Sequence, residues 1–96
     1  METGSIKNAL LGLLPRSVQQ FLKRIYYPYV IRAVTERDWP YALVARQLVK
    51  PGDCVVDAGA NVGYTSALMA RWVGGEGAVY SFEPVPETFE LLRHNM

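Results

Sequence analysis

A chain of 96 residues, half of them apolar, is too short for more than one small domain and too hydrophobic to remain disordered. Its 8 glycines and 6 prolines are too few for a collagen-like or low-complexity sequence, and one cysteine with one histidine excludes a disulfide framework and a Cys/His zinc site. The net charge of +1 conceals a division, because residues 1–50 carry +5 and residues 51–96 carry −4.

No run approaches the roughly 18 apolar residues of a membrane-spanning helix. The apolar stretch from Ala9 to Leu14 is too short for a signal-peptide core and follows an acidic Glu2. With Cys54 as the sole thiol, the chain reads as non-secreted and cytoplasmic.

Residues 1–15 read as a weakly patterned lead-in closed by Pro15. Val18, Phe21, Leu22, Ile25, Tyr29 and Ala33 then recur at spacings of three and four, predicting a helix with Ser17 as N-cap. Pro28 removes a backbone donor inside that pattern, so either two helices meet near Tyr27 or one helix kinks there. Lys23 and Arg24 oppose the apolar stripe, and Tyr26, Tyr27 and Tyr29 cluster beside Pro28. Residues 16–34 therefore read either as a helix packed on the domain that follows or as a peripheral contact with an anionic membrane surface. Nucleic acid is not expected as a partner, since the positive charge is modest. Asp38 as cap and Pro40 in the first turn announce a second helix, through Leu43, Val44, Leu48 and Val49 to a turn at Pro51-Gly52.

The period then changes. Cys54–Ala58 is a short, β-branched run predicted as a strand covered on both faces, with Cys54 a small core residue. Residues 59–63 form a small-residue loop, and Tyr64–Val73 reads as a helix ended by Gly74-Gly75 in a left-handed cap. A second strand at Ala78–Phe82 is broken by Glu83-Pro84, and residues 86–94 read as a last helix. The expected fold is α/β: an incomplete Rossmann-like β-α-β-α unit preceded by N-terminal helices. Residues 1–38 are expected to be a basic helical extension and residues 39–96 the N-terminal part of a domain.

A strand-helix-strand crossover is right-handed and leaves both strands with their carboxyl ends at one edge, about 4.8 Å apart. Asp57 ends the first strand and Glu83 follows the second, so two carboxylates are expected at that edge. Between them, Gly59 and Gly63 allow a ligand close to the backbone, and Asn61 tolerates a left-handed conformation. The loop reads D-A-G-A-N-V-G, which departs from the dinucleotide fingerprint, and no Gly-Lys-Ser/Thr follows as in a P-loop. A carboxylate directly before the loop repels a pyrophosphate but attracts a ligand with an ammonium and a sulfonium. S-adenosylmethionine has that chemistry. Its amino group suits Asp57, its carboxylate suits the amides opening the helix after the loop, and its ribose diol suits Glu83.

The run V-K-P-G-D-C-V-V-D-A-G-A-N-V-G-Y-T at 49–65, followed by V-Y-S-F-E-P-V-P-E-T-F-E-L-L at 79–92, resembles the opening of the FkbM-type S-adenosylmethionine-dependent methyltransferases. The resemblance spans about residues 39–96. It implies a cofactor loop of Asp57, Gly59, Ala60, Asn61 and Gly63, a ribose contact at Glu83 and an adenine wall at Pro84. It also implies O-methylation of a small-molecule or glycan acceptor such as a sugar or secondary metabolite. Further strands carrying the acceptor site would be expected in such a domain, so the chain reads as a truncated and by itself inactive portion.

No residue is nominated as a catalytic base. His94 reads as a solvated side chain favoured by a helix C-terminus. Plainer readings make Asp57 a turn-forming strand end, Glu83 a solvated helix-entry residue, and Gly59 and Gly63 ordinary loop glycines. Two other functions fit the pattern less fully. One is a non-catalytic nucleotide-binding or interaction module completed by another chain, and the other is a nicotinamide dinucleotide domain.

Overall fold

The computed structural model describes residues 2–96; Met1 of the lead-in lies outside them. The elements are α1 (Glu2–Gly12), α2 (Arg16–Arg32), a single 3-10 turn (Glu36–Asp38), α3 (Ala42–Leu48), β1 (Cys54–Ala58), α4 (Tyr64–Val73), β2 (Ala78–Phe82) and α5 (Pro86–Asn95).

β1 and β2 pair in parallel with Cys54 opposite Ala78 and Asp57 opposite Ser81. Helix α4 packs across both strands, as a β-α-β crossover requires. The turn that feeds β1 is closed by Lys50 and Asp53: Asp53 N–H donates to Lys50 O, and Lys50 N–H donates to Asp53 Oδ2 at 2.9 Å. Gly52 stands there at φ +88, as the Pro-Gly pair predicts. Gly74 ends α4 with φ +69 but ψ −169, so it reverses the chain without adopting the expected left-handed helical cap.

Helix α2 shares the core of the unit. Ile31 clusters with Val62 and Leu91, and Tyr27, Tyr64 and Ala67 pack against that cluster. Arg71 of α4 secures the end of α2: Nη1 donates to Val34 O at 2.6 Å, and Nη2 donates to Ile31 O at 3.2 Å and Arg32 O at 3.1 Å. A guanidinium on three carbonyls satisfies acceptors that every helix C-terminus leaves open, and its charge complements the helix dipole. At the other end, Gln20 Nε2 donates to Glu87 O and Arg16 pairs with Glu87.

Several expectations are corrected. Residues 2–12 are helical, since Ala9, Leu10, Leu11 and Lys7 are good helix formers and no proline intervenes before Pro15. Helix α2 starts at Arg16 with Pro15 at its N-cap, so Ser17 is not the cap. Of the two readings of Pro28, the single helix is the one found, since α2 continues through the proline and is held beyond it by the buried Ile31 and by Arg71. Asp38 does not cap α3. Its carboxylate turns back to accept from Thr35 N–H at 2.7 Å, a capping box around the 3-10 turn.

The largest correction concerns β1. Its two faces alternate between half-buried and exposed rather than both being covered, because α4 covers only one side. Cys54 is exposed, not a core residue. Val56, Tyr80 and Phe82 stand on the open face.

Candidate functional site

The site is built where both strands end. Gly59 N–H and Ala60 N–H both donate to Phe82 O, at 2.8 and 2.9 Å, so the loop after β1 is tied to the last residue of β2. Asn61 takes φ +55, the left-handed conformation that its side chain tolerates best among non-glycine residues. Gly59, at φ +76, has nothing within 4 Å of where a Cβ would stand, which leaves that side of the loop open. Gly63 differs. At φ +112, a Cβ there would lie 2.7 Å from Met96 Cε and 3.3 Å from Leu92 Cδ1, so the glycine lets α5 close on the loop.

Glu83 joins the two carboxyl-end segments. Its Oε1 accepts from Asn61 N–H at 2.9 Å and its Oε2 accepts from Val85 N–H at 3.0 Å. Each carboxylate oxygen keeps acceptor capacity beyond that one bond. Two fixed backbone donors thus hold the carboxylate at the rim between the 59–63 loop and the start of α5. Pro84 follows, exposed beside it.

Asp57 sits on the half-buried face of β1 beneath α4. Its Oδ2 accepts from Thr65 Oγ1 at 2.7 Å and Ser66 Oγ at 2.6 Å. Ser66 is 1% exposed, and its hydroxyl also bonds Ser81 Oγ at 2.6 Å. A hydroxyl network from β2 through α4 therefore orients one oxygen of Asp57. The other, Oδ1, accepts from no described residue. It is also absent from the buried unpartnered oxygens, among which Asn95 Oδ1 stands alone in the described residues, so Oδ1 reaches solvent.

The expected site residues lie along one edge, but not all offer a ligand the same surface. Ala60 is 2% exposed, its N–H is committed to Phe82 O and its carbonyl to Gly63 N–H, so it shapes the loop from within. Val62 is buried in the core cluster, and its carbonyl accepts from Asn95 Nδ2 at 2.9 Å. The Gly63 N-cap of α4 supplies no side-chain oxygen, leaving the first-turn amides without a side-chain cap.

Reasoning from sequence missed Thr65, Ser66 and Ser81 as the setting of Asp57. Hydroxyls on the first turn after the loop are the only signal, and it becomes specific only when the register places Ser81 opposite Asp57. Tyr64 was missed too. It lines a cavity of about 680 Å³ between α1 and α2 with Leu11, Leu22, Ile25, Tyr26 and Tyr27. Its hydroxyl is pushed above the ordinary 10.0, first by burial and then by Tyr27, Tyr26 and Asp38. This cavity contains neither Asp57 nor Glu83. No cluster of metal-ligating side chains occurs among the described residues.

Residues 57–96 match the family model described as the methyltransferase FkbM domain. Three relatives are protein-L-isoaspartate O-methyltransferases. That of Aeropyrum pernix is 47% identical over 47 residues, covering 49% of this chain and 18% of its own. That of Methanothrix thermoacetophila is 25% identical over 107 aligned residues, covering 96% of this chain and 51% of its own. That of Ignicoccus hospitalis is 29% identical over 89, covering 77% and 42%. The chain thus spans about half or less of the length of these relatives. No solved structure matches it.

Proposed function

From the match of residues 57–96 to the methyltransferase FkbM domain, we propose that the chain binds S-adenosylmethionine at the carboxyl edge of its sheet and serves methyl transfer to an oxygen nucleophile. The carrying observation is the Glu83 carboxylate, fixed by the amides of Asn61 and Val85 at the rim of an open glycine loop. A ribose diol needs such a preset pair of acceptors. The donor set fits the cofactor elsewhere. Asp57 Oδ1 offers an anionic acceptor to an ammonium, directly or through water, the uncapped start of α4 offers amides to a carboxylate, and Gly59 leaves room beside the backbone.

When bound, the cofactor supplies an electrophilic methyl group on a sulfonium. The chain's own residues bind and orient. Glu83 and Asp57 fix the two ends of the ligand, and the network of Thr65, Ser66 and Ser81 keeps the Asp57 carboxylate from turning.

The acceptor proposed is a hydroxyl of a sugar or secondary metabolite. The name of the relatives points instead to protein L-isoaspartate as what those enzymes methylate. Both are O-methylations. They differ in that a hydroxyl must lose a proton and a carboxylate need not.

The described residues furnish the cofactor half of such a site. The uncovered sheet face of Val56, Tyr80 and Phe82 calls for a further layer, from additional chain or from a partner, to complete an acceptor pocket. The 96 residues alone are therefore expected to bind the cofactor without turnover. Among them no helix is long and apolar enough to cross a membrane. A reducing, cytoplasmic setting suits the exposed, unpaired Cys54.

Calorimetric titration with S-adenosylhomocysteine and with NADH tests the assignment. Binding of the first and not the second is expected. NADH binding contradicts the assignment, and binding of neither leaves an interaction module as the function.

A further inference from the structure

A second cavity, apart from the tyrosine-lined one, opens where the end of α2 meets the start of α4. It measures about 530 Å³ and is walled by Val30 and Val34, by Asp38 and Trp39 at the 3-10 turn, and by Tyr64 and Thr65 of α4. That volume lies within the range of small-ligand clefts, roughly 300–1,000 Å³. Thr65 connects the cavity to the sheet edge, because the same side chain donates from Oγ1 to Asp57 at 2.7 Å. The opposite wall is fixed from α4. Arg71 Nη1 donates to Val34 O at 2.6 Å, and Trp72 stacks on Trp39 with ring centroids 6.2 Å apart and planes 16° from parallel. The family model matches residues 57–96, so the Asp38–Trp39 wall comes from a part of the chain outside that match.

Charge decides what the cavity takes. Asp38 Oδ2 is committed to Thr35 N–H at 2.7 Å, which fixes the carboxylate, while Oδ1 accepts from no described residue. Among the described residues no lysine or arginine lines the cavity, so an anion entering it would meet only a like charge. A cation would meet the carboxylate and the rings of Trp39 and Tyr64, whose π-systems attract positive charge. The Tyr64 hydroxyl shows how far the carboxylate reaches: burial holds its proton first, Tyr27 and Tyr26 add to this, and the Asp38 charge adds last. S-adenosylmethionine is cationic at the end assigned to Asp57, and its ammonium has more N–H donors than the one free oxygen of Asp57 serves. Building on that cofactor assignment, we infer that the cavity receives the cationic amino-acid end of the cofactor, with Asp38 Oδ1 as a second carboxylate acceptor for the ammonium beside Asp57. Trp39 and Tyr64 flank the charge, and Thr65 stands between the two carboxylates.

Calorimetric titration of the full chain with two ligands reads this out. S-adenosylhomocysteine carries the ammonium; 5′-methylthioadenosine keeps the nucleoside and the sulfur but has neither ammonium nor carboxylate. Asp38→Asn suits the test, since its carbonyl oxygen still accepts from Thr35 N–H and an NH2 donor then takes the place of Oδ1. This variant should weaken S-adenosylhomocysteine binding by about tenfold or more, with 5′-methylthioadenosine affinity and melting temperature unchanged. Thr35→Val removes the hydroxyl of the same capping box but keeps the carboxylate, and should leave both affinities unchanged. A reading that needs no substitution is the indole N–H resonance of Trp39, which should move with S-adenosylhomocysteine and not with 5′-methylthioadenosine. Undiminished S-adenosylhomocysteine binding in Asp38→Asn, equal loss of both ligands, the same loss in Thr35→Val, or an indole resonance that the two ligands fail to distinguish overturns the inference and leaves the cofactor assignment standing. Binding of neither ligand to the unsubstituted chain overturns that assignment and the inference with it.

Discussion

Glu83 and Asp57 are both carboxylates at the sheet edge, yet the chain holds them by different means, and their variants should differ accordingly. Glu83 is gripped by two backbone N–H groups, one on each oxygen. Glu83→Gln puts an amide NH2 against one of those donors, so it should loosen the rim and weaken S-adenosylhomocysteine binding by about tenfold or more, although the side chain keeps its size. Asp57 is held by side-chain hydroxyls instead. Ser66→Ala removes a buried hydroxyl that bridges Asp57 and Ser81, at an expected cost of about 1–2 kcal/mol in stability by denaturant unfolding. It should also weaken cofactor binding, because Thr65 alone would then hold Oδ2. Lost stability with unchanged affinity would show that Ser66 does not position Asp57 for the ligand.

Tyr64 gives a pH signature at the same scale. The folded chain retains its hydroxyl proton more tightly than the unfolded chain, whose value lies near 10.0. Its contribution to stability is therefore complete below about pH 10, begins to fall as the unfolded tyrosine ionises, and is lost as pH rises through the elevated folded-state value. Tyr64→Phe should flatten the alkaline fall in melting temperature and leave its slope near neutrality unchanged.

Among elements, the junction of α2 with α4 depends on Arg71, whose three hydrogen bonds reach the last carbonyls of α2 and the turn after it. Arg71→Ala should fray that end. Hydrogen exchange should then lose protection first at residues 29–34 while β1 and β2 stay protected, and a uniform loss would show that α2 and the sheet open as one unit. Strands β1 and β2 and helix α4 were legible in the sequence to the residue, because each is bounded by Pro-Gly, Gly-Gly or Glu-Pro and has an unambiguous period. Helix α2 was legible as a helix but not in its orientation. Periodicity identifies an apolar face without saying where it points, and the docking residue Gln20 lies off the stripe. Asp38 was misread as the cap of the helix after it, because its carboxylate instead closes the box of the turn that Thr35 caps.

For the whole molecule, apolar area remains open on the sheet face of Val56, Tyr80 and Phe82 and on α3 at Leu43, Val44 and Leu48. A mostly apolar strand such as β1 suggests cover on both sides, whereas in the two-stranded sheet of the described residues α4 covers one side only. The meeting of Glu83 with the 59–63 loop was legible because its residues are local to two loops. The hydroxyl network was not, because it depends on the register that sets Ser81 beside Asp57.

The placement of the cofactor can be read directly from amide chemical shifts as S-adenosylhomocysteine is added to isotope-labelled protein. The largest changes are expected at Gly59, Asn61, Gly63, Tyr64 and Val85, with the amides of residues 18–26 still. Changes centred on the tyrosine-lined cavity between α1 and α2, with the loop and Val85 unmoved, would contradict the account.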